Sequence, residues 1–97
     1  MPDSVIEIQD RPERGAYVLL VDGERAGYVT YRLDGERLTV DHTKVADAFS
    51  GRGFGGRLAR HVLDDARRRD LRVIPRCPFL AGYIRTHPEY QDLVESA

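Results

Sequence analysis

A glycine-rich segment near the middle of the chain has the residue types of an anion-binding site. Its members are Gly51, Arg52, Gly53, Phe54, Gly55, Gly56 and Arg57. Glycines can adopt positive φ and let the backbone approach a ligand closely. An apolar repeat follows, so the segment is predicted to open a helix, whose first N–H groups are unpaired and whose N-terminus carries a partial positive charge. With two arginines beside these N–H groups, a phosphate is the expected anion.

Four strands are predicted ahead of this segment, because apolar and β-branched runs alternate with turn signals. Asp22-Gly23 and Asp34-Gly35 are hairpin signals, so the strands that they join run antiparallel. The second strand is apolar at both alternating sets of positions, which indicates burial on both faces. The predicted strands are residues 5–8, 16–21, 25–33 and 37–43, with a turn at residues 10–15.

The fourth predicted strand has two faces, because successive side chains of a strand alternate in direction. One face is expected to hold Leu38, Val40 and His42, and the other Thr39, Asp41 and Thr43. The His42 ring is therefore expected on the apolar, core-facing side.

Beyond the glycine segment the apolar period changes to three and four residues, which predicts a helix over residues 54–70. A short strand at residues 71–75 follows this crossover helix and is expected to lie parallel to the fourth strand. Pro78 suits the first turn of another helix that runs to about Thr86, and a last helical turn is predicted within residues 89–94. The predicted fold is α/β with a mixed sheet, an antiparallel meander followed by one βαβ unit, in a single domain over residues 1–97.

Composition restricts the partners and the compartment. Fifteen basic and 16 acidic residues leave a net charge of −1, so bulk charge indicates neither a nucleic-acid nor a membrane partner. Nucleic acid stays a weaker alternative because one helix face is rich in arginine, although interleaved acidic residues favour a solvated face. A single cysteine excludes an internal disulfide, and the acidic residues 1–4 lack the apolar run of a signal peptide, so a cytoplasmic protein is expected. The chain's histidines and its cysteine lack metal-ligand spacing, so no metal site is expected.

The glycine segment is compatible with more than one role. The glycines could simply build a tight turn from a strand into a helix. A dinucleotide-binding fingerprint would follow the first strand, whereas this segment follows four strands. A nucleoside-triphosphate P-loop would end in Gly-Lys-Ser or Gly-Lys-Thr, whereas Gly56 is followed by Arg57. Two interpretations remain: a pyrophosphate site that follows an antiparallel meander, and a purely structural turn.

The order of elements resembles the GNAT superfamily of acyl-CoA N-acyltransferases. The family signature is Arg or Gln, two residues, Gly, one residue, and Gly or Ala; residues 50–55 match both glycines but have Ser50 at the first position. The resemblance is more specific to minimal, single-domain GNAT-like N-acetyltransferases and covers residues 5–94. It rests also on the segments His42-Thr43-Lys44-Val45, Cys77-Pro78-Phe79 and His87-Pro88-Glu89-Tyr90.

The resemblance implies acetyl-CoA as the co-substrate. Backbone N–H groups of residues 52–57 would hold the pyrophosphate, and the fourth strand would pair with the pantetheine arm as with an added strand. In this family the fourth and fifth strands part there, so the thioester lies between them and a backbone N–H polarises its carbonyl. The implied cofactor-binding residues are Thr43, Val45, Gly51, Arg52, Gly53, Phe54, Gly55, Gly56 and Arg57.

Three residues are candidates for catalysis. Tyr83 occupies the place of a family tyrosine that protonates the departing thiolate, and its alternative role is core packing. His42 could accept a proton from the attacking amine, or be a hydrogen-bonded histidine of the core face. Cys77 could line the cofactor channel, act as the nucleophile of a two-step transfer, or be a small buried residue without a catalytic role.

These residues are consistent with two functions. The first is an N-acetyltransferase that moves an acetyl group from acetyl-CoA to a primary amine by direct attack in a ternary complex. The alternative is a non-catalytic module that binds coenzyme A or acyl-CoA. Only residues 9–15 follow the first strand, which is too short for the helical pair that covers the acceptor site in larger relatives. The acceptor could therefore be a small molecule or a protein tail, or a homodimer could complete the site.

Overall fold

The computed structural model describes residues 4–95, and its single sheet has the strand order β1-β2-β3-β4-β5. The acidic start at residues 1–3 lies outside the described residues. The strands are β1 (Ile6–Arg11), β2 (Ala16–Val21), β3 (Glu24–Asp34), β4 (Arg37–Val45) and β5 (Arg72–Pro75). The α-helices are α1 (Phe54–Arg68) and α2 (Pro78–Thr86), and 3-10 helices cover Pro12–Arg14, Asp47–Phe49 and Pro88–Leu93.

The strand pairing confirms the predicted α/β fold. β1 to β4 form an antiparallel meander, and β5 joins β4 in parallel. At the two hairpins Gly23 and Gly35 adopt left-handed φ values of 83° and 60°, which glycine tolerates without a steric penalty. α1 carries the chain back across the sheet between the parallel strands, as such a pair requires. Within residues 4–95, no helix combines the length and apolar character of a membrane span.

Two strands end two or three residues later than predicted. β1 continues to Arg11, which pairs with Ala16, so the predicted turn shrinks to the short helix at Pro12–Arg14. β4 continues to Val45, which pairs with Gly27. The extension of β1 is polar, and that of β4 is only Lys44 and Val45, so neither forms an apolar run; backbone pairing with a neighbouring strand does not require one.

Both α-helices pack on one face of the sheet. The core cluster combines one alternate set of β2 side chains, such as Leu19, with the apolar stripe of α1, such as Leu58. Ala16 and Val18 point to the opposite face, called the outer face below, and are only 9% and 6% exposed. The predicted burial of β2 on both faces is therefore confirmed.

A β-bulge in β4 changes which of its side chains face the core. The pairing with β3 skips Asp41, which is therefore the extra residue. Val40 is buried in the core, and Thr43 also faces the helices, since its hydroxyl contacts the buried Cys77. His42 lies on the outer face and is exposed. The prediction that His42 shares a face with Val40 is wrong, because one inserted residue inverts the alternation beyond it.

Candidate functional site

A gap opens in the sheet between β4 and β5. The two strands pair only as far as Val40 and Pro75. The N–H groups of Arg76 and Cys77 then both donate to the carbonyl of Val40, each at 3.0 Å. β4 continues to Val45 without β5 beside it, so its last residues have an unpaired edge. The strands thus part where the family resemblance implies that they do.

The unpaired edge of β4 carries the backbone groups of Thr43 and Val45. Ala46 donates its N–H to the carbonyl of Ala26 on β3 at 2.8 Å. Alternate residues of an extended strand direct their backbone polar groups to the same edge, so Lys44 shares the β3 edge with Ala46. Thr43 and Val45 therefore direct their N–H and C=O groups into the gap, where an extended ligand can pair with them as an added strand does.

The N-terminus of α1 follows the end of β4 and has no side-chain cap. Gly51 and Gly53 adopt left-handed φ values of 78° and 77°, a conformation that glycine provides without strain. The N–H of Arg57 donates to the carbonyl of Gly53 at 3.1 Å and closes the first helical turn. The N–H groups of residues 54–56 precede this bond, lack helical partners and are available to an anion. The Arg57 N–H is already used by the helix. That the N–H groups of residues 52–57 hold a pyrophosphate stays a prediction.

Two glycines in the first turn of α1 are contact points for aromatic rings of α2. A Cβ on Gly55 would lie 2.9 Å from Cζ of Phe79, and a Cβ on Gly56 would lie 3.8 Å from Cε2 of Tyr83. These glycines serve the close approach of two helices, whereas Gly53 serves an unusual φ. The Phe79 ring is 45% exposed, so it forms part of the rim where the two helices meet.

The two arginines of the segment take different directions. The Arg52 guanidinium lies over the Phe49 ring, 5.7 Å from the ring centroid, which holds this cation beside the loop. Arg57 lines a separate cavity of about 340 Å³ together with Ile8 of β1 and His61. The structure therefore keeps Arg52 near the uncapped helix N-terminus and places Arg57 on the side of α1 that faces β1.

Cys77 lies at the start of α2 and is only 3% exposed. Its thiol donates a hydrogen bond to Oγ1 of Thr43 at 3.3 Å. The structure thus brings two of the predicted site residues together, with the thiol reaching β4 from the end of β5. A buried thiol that is engaged as a hydrogen-bond donor suits a channel-lining residue better than a free nucleophile.

Tyr83 stacks on the imidazole of His87, with ring centroids 3.8 Å apart and an interplanar angle of 8°. Nδ1 of His87 lies 2.7 Å from the Tyr83 carbonyl oxygen, and because a carbonyl only accepts, Nδ1 is the donor. Thr86 and His87 both hydrogen-bond to the Tyr83 carbonyl oxygen. Within residues 4–95 the Tyr83 hydroxyl has no hydrogen-bond partner, so it is available to a ligand. Burial raises the pKa of the phenol above its ordinary value of 10.0, which keeps the phenol protonated at neutral pH.

His42 and His61 lie away from the contact between Thr43 and Cys77. The exposed His42 ring on the outer face has its centroid 6.2 Å from that of Tyr28. His61 on α1 meets Tyr17 edge-on at 5.7 Å, and burial lowers the pKa of its imidazole below 6.5. In the part of the chain that the structure describes, no three potential ligands gather at a point that could hold a metal ion.

Two features of the site are absent from the sequence prediction. The sequence pattern assigns no role to Phe79, because an apolar residue in the first turn of a helix is usually a packing residue. Its position directly after Cys77-Pro78 is the available signal. The bulge at Asp41 has no side-chain signature, since it depends on how β4 pairs with β3.

Known proteins resemble this chain in sequence and in fold. A model of the family described as GCN5-related N-acetyl-transferase matches residues 16–93. The curated Protein NATD1 of Xenopus tropicalis is 33% identical over 90 residues, which covers 90% of this chain and 82% of that protein. The NMR structure of a GCN5-like protein from Staphylococcus aureus has a TM-score of 0.71 at 27% identity, covering 94% of this chain and 89% of that one. N-acetylglutamate synthase from Neisseria gonorrhoeae, complexed with coenzyme A and N-acetyl-glutamate, shares the fold with a TM-score of 0.55 at 19% identity, covering 72% and 19% of the two chains.

Proposed function

Since the chain belongs to the GCN5-related N-acetyltransferase family, we propose that it transfers the acetyl group of acetyl-CoA to a primary amine by direct attack in a ternary complex. The observation that carries the proposal is the gap between β4 and β5 next to an uncapped helix N-terminus. The gap suits an extended amide-containing chain, and the helix N-terminus suits an anion. Coenzyme A combines a pantetheine arm with a pyrophosphate, so the described residues fit it.

The chain's own groups divide the work of holding this co-substrate. The N–H groups of residues 54–56 bind pyrophosphate oxygens, supported by the left-handed turns at Gly51 and Gly53 and by the cation of Arg52. The backbone of Thr43 and Val45 holds the pantetheine arm. The side chain of Phe54 is 6% exposed and belongs to the core, so Phe54 contributes its backbone.

Tyr83 is the proposed general acid. When bound, acetyl-CoA supplies a thioester whose carbonyl carbon the amine attacks. The phenol of Tyr83 is protonated at neutral pH, as any phenol with a pKa of 10.0 or above is, and it can donate that proton to the departing sulfur. Its ring is positioned by its contact with the first turn of α1 at Gly56.

The proposed direct attack gives Cys77 a lining role. Its burial and its bond to Thr43 support this assignment over an acetyl-cysteine intermediate. His42 can serve as the base for an amine that arrives from the outer face, because its exposed ring lies there. Water is the other acceptor for the ammonium proton.

A non-catalytic module that binds coenzyme A is the alternative function. It is favoured by one observation: only the 3-10 helix at Pro12–Arg14 connects β1 to β2, so no helical pair encloses an acceptor there. The same opening suits a bulky acceptor such as a protein tail, or a second copy of the chain that completes the site. We further propose a single cytoplasmic domain over residues 1–97, with no membrane or nucleic-acid partner and no metal.

Thermal unfolding with acetyl-CoA tests the binding site. A 100-fold excess of ligand over its Kd adds about 2.7 kcal/mol to stability, so the melting temperature of the wild type is expected to rise by several degrees. Gly53→Asp places a carboxylate at the helix N-terminus and should abolish the rise. Gly35→Asp is the matched control, because both glycines have left-handed φ and a Cβ added at either would meet no heavy atom within 4 Å.

The two functions differ in the step after binding. A transferase releases free thiol when acetyl-CoA is mixed with a panel of primary amines, whereas a module raises its melting temperature without releasing thiol. If the melting temperature of the folded wild type does not change with acetyl-CoA, both functions are contradicted.

A further inference from the structure

A small cavity lies where β3 begins and β4 ends, beside Tyr28 and Lys44 of the outer face. Its volume is about 260 Å³, which suits part of a small molecule. Its lining residues are Arg25, Ala26, Gly27, Tyr28, Lys44 and Ala46. Three small residues and one tyrosine thus form its floor, and the only charged side chains among the lining residues are two cations.

The two cations of this cavity are available for an anion. Arg25 and Lys44 are both exposed, and neither forms an ion pair with an acidic side chain anywhere in residues 4–95. Arg32, also on β3, shows the contrast, because it makes a two-fold contact with Asp41 at 2.9 and 3.0 Å. An apolar floor with two unpaired cations is complementary to a ligand that has a short apolar chain and a negative end.

The cavity adjoins the gap along β4. Lys44 lies between Thr43 and Val45, whose backbone groups face the gap, and its own side chain is on the outer face with His42. Lys44 is three positions along the strand from the bulge at Asp41, a distance of about 10 Å. A small acceptor can therefore place one end at the cations and the other near the parting of the strands.

We propose that this cavity binds the carboxylate of the acceptor, so that the acetylated amine belongs to an amino acid or a similar aminocarboxylate. The inference rests on the proposed acetyl transfer and names its substrate class. Arg25 and Lys44 hold the carboxylate, and the small residues and Tyr28 contact the methylene chain. The amine end then extends along β4 toward the gap.

Titration of the protein saturated with coenzyme A tests the cavity directly. The probes are glycine, 4-aminobutyrate and 6-aminohexanoate, each compared with its own carboxamide, and the readout is the amide NMR signals of Ala26, Gly27 and Ala46. Saturating coenzyme A first ensures that its phosphates do not compete for the cations. The carboxylates are expected to shift these signals with 6-aminohexanoate binding best, and the carboxamides are expected to bind about tenfold more weakly.

Single substitutions assign the effect to the cations. Arg25→Gln and Lys44→Gln should each raise the Kd of 6-aminohexanoate about tenfold and leave the Kd of its carboxamide unchanged. Arg14→Gln, which removes an exposed arginine from the helix at Pro12–Arg14, should leave both values unchanged. Equal binding of carboxylate and carboxamide, or no shift with either, overturns the inference. Thiol release is scored separately: if no amine of either kind releases thiol, the proposed transfer fails, while the NMR shifts still decide on the cavity.

Discussion

At position 83 a phenol is stacked on an imidazole and rests against a glycine of the neighbouring helix. This arrangement limits the freedom of the Tyr83 ring and leaves its hydroxyl as the group that can act. The imidazole of His87 is itself fixed, because its Nδ1 donates to the Tyr83 carbonyl. A side chain held in this way can deliver a proton without first being ordered.

Tyr83→Phe is expected to lower kcat about 100-fold with little change in KM, because it removes a proton donor and keeps the ring. Since burial raises the pKa of the phenol above 10.0, the wild type keeps the donor form through neutral pH and loses it only as the pH rises beyond that value. Steady-state kinetics of thiol release across this range check both points.

Tyr90→Phe is the control for the loss of a hydroxyl. The Tyr90 hydroxyl already donates to Asp64 at 2.6 Å, so its removal should affect stability and spare kcat. Equal kcat values for wild type and Tyr83→Phe would contradict the general-acid role.

Residue chemistry was readable from the sequence where backbone conformation dominates. Gly51 and Gly53 have the left-handed φ that their spacing in a loop predicts. Side-chain direction was not readable at His42, because it depends on the bulge at Asp41 and therefore on pairing with β3. The backbone of Arg57 was also not readable, since its N–H donates to the carbonyl of Gly53 within the helix and is not free for an anion.

At the scale of elements, the first turn of α1 and the start of α2 approach each other through glycine. The glycine segment therefore has two structural roles. Gly51 and Gly53 adopt the left-handed φ of the turn, and Gly55 and Gly56 leave space for the aromatic rings of α2. A sequence motif shows the glycines but not which job each performs, because the second job requires the position of a helix that comes later in the chain.

Alanine substitutions separate these contacts. Gly56→Ala should raise the free energy of unfolding by up to about 1 kcal/mol, because alanine favours a helix and its Cβ makes only an ordinary contact. Gly55→Ala should gain less, because the Phe79 ring must move away from the new methyl group. Urea unfolding of both variants, in the wild-type and Phe79→Ala backgrounds, checks this.

Removal of the Phe79 ring should make the two gains equal. If Gly55→Ala and Gly56→Ala have the same effect while Phe79 is present, the ring does not limit the approach of the helices.

Element boundaries were predictable from the sequence where the apolar pattern was strong. β2 at Ala16–Val21 and α2 at Pro78–Thr86 have the predicted bounds. β1 and β4 run further than predicted, because backbone bonds to neighbouring strands hold their last residues, which form no apolar run. The gap between β4 and β5 came from the family resemblance, since no local pattern marks where two parallel strands stop pairing.

At the scale of the whole molecule, a partly buried polar cluster joins three strands to α1. The Tyr17 hydroxyl donates to Asp65 at 2.6 Å, and the Tyr31 hydroxyl donates to Asp10 at 2.6 Å. Arg69 lies 3.2 Å from Asp65 and 3.6 Å from Asp10, so it links the two carboxylates. These contacts span β1, β2, β3 and the end of α1, far apart in sequence, and no periodicity predicts them.

Because of this cluster, the free energy of unfolding is expected to change with pH in the alkaline range. Burial, with the nearby Asp10 charge, raises the pKa of Tyr17 from 10.0 to about 12 in the folded protein. The unfolded chain therefore loses the proton first, and the contribution to stability is complete below pH 10 and is lost as the pH rises to about 12. Lys44 is the single lysine, so tyrosines dominate titration in this range.

We expect the free energy of unfolding to fall between pH 10 and pH 12, and Tyr17→Phe to reduce that fall. At neutral pH the same substitution should cost about 1 kcal/mol, the usual value of one hydrogen bond. Chemical denaturation at a series of pH values measures both. A free energy that stays constant up to pH 12 would show that these phenols ionise equally in the folded and unfolded chains.

The unpaired edge of β4 favours aggregation when no ligand is bound to the protein. Unsatisfied strand edges recruit extended segments from other molecules, which is a common first step of aggregation. A co-substrate lying along Thr43 and Val45 would occupy those hydrogen-bonding groups. Solubility during purification and storage should therefore depend on whether coenzyme A is kept in the buffer.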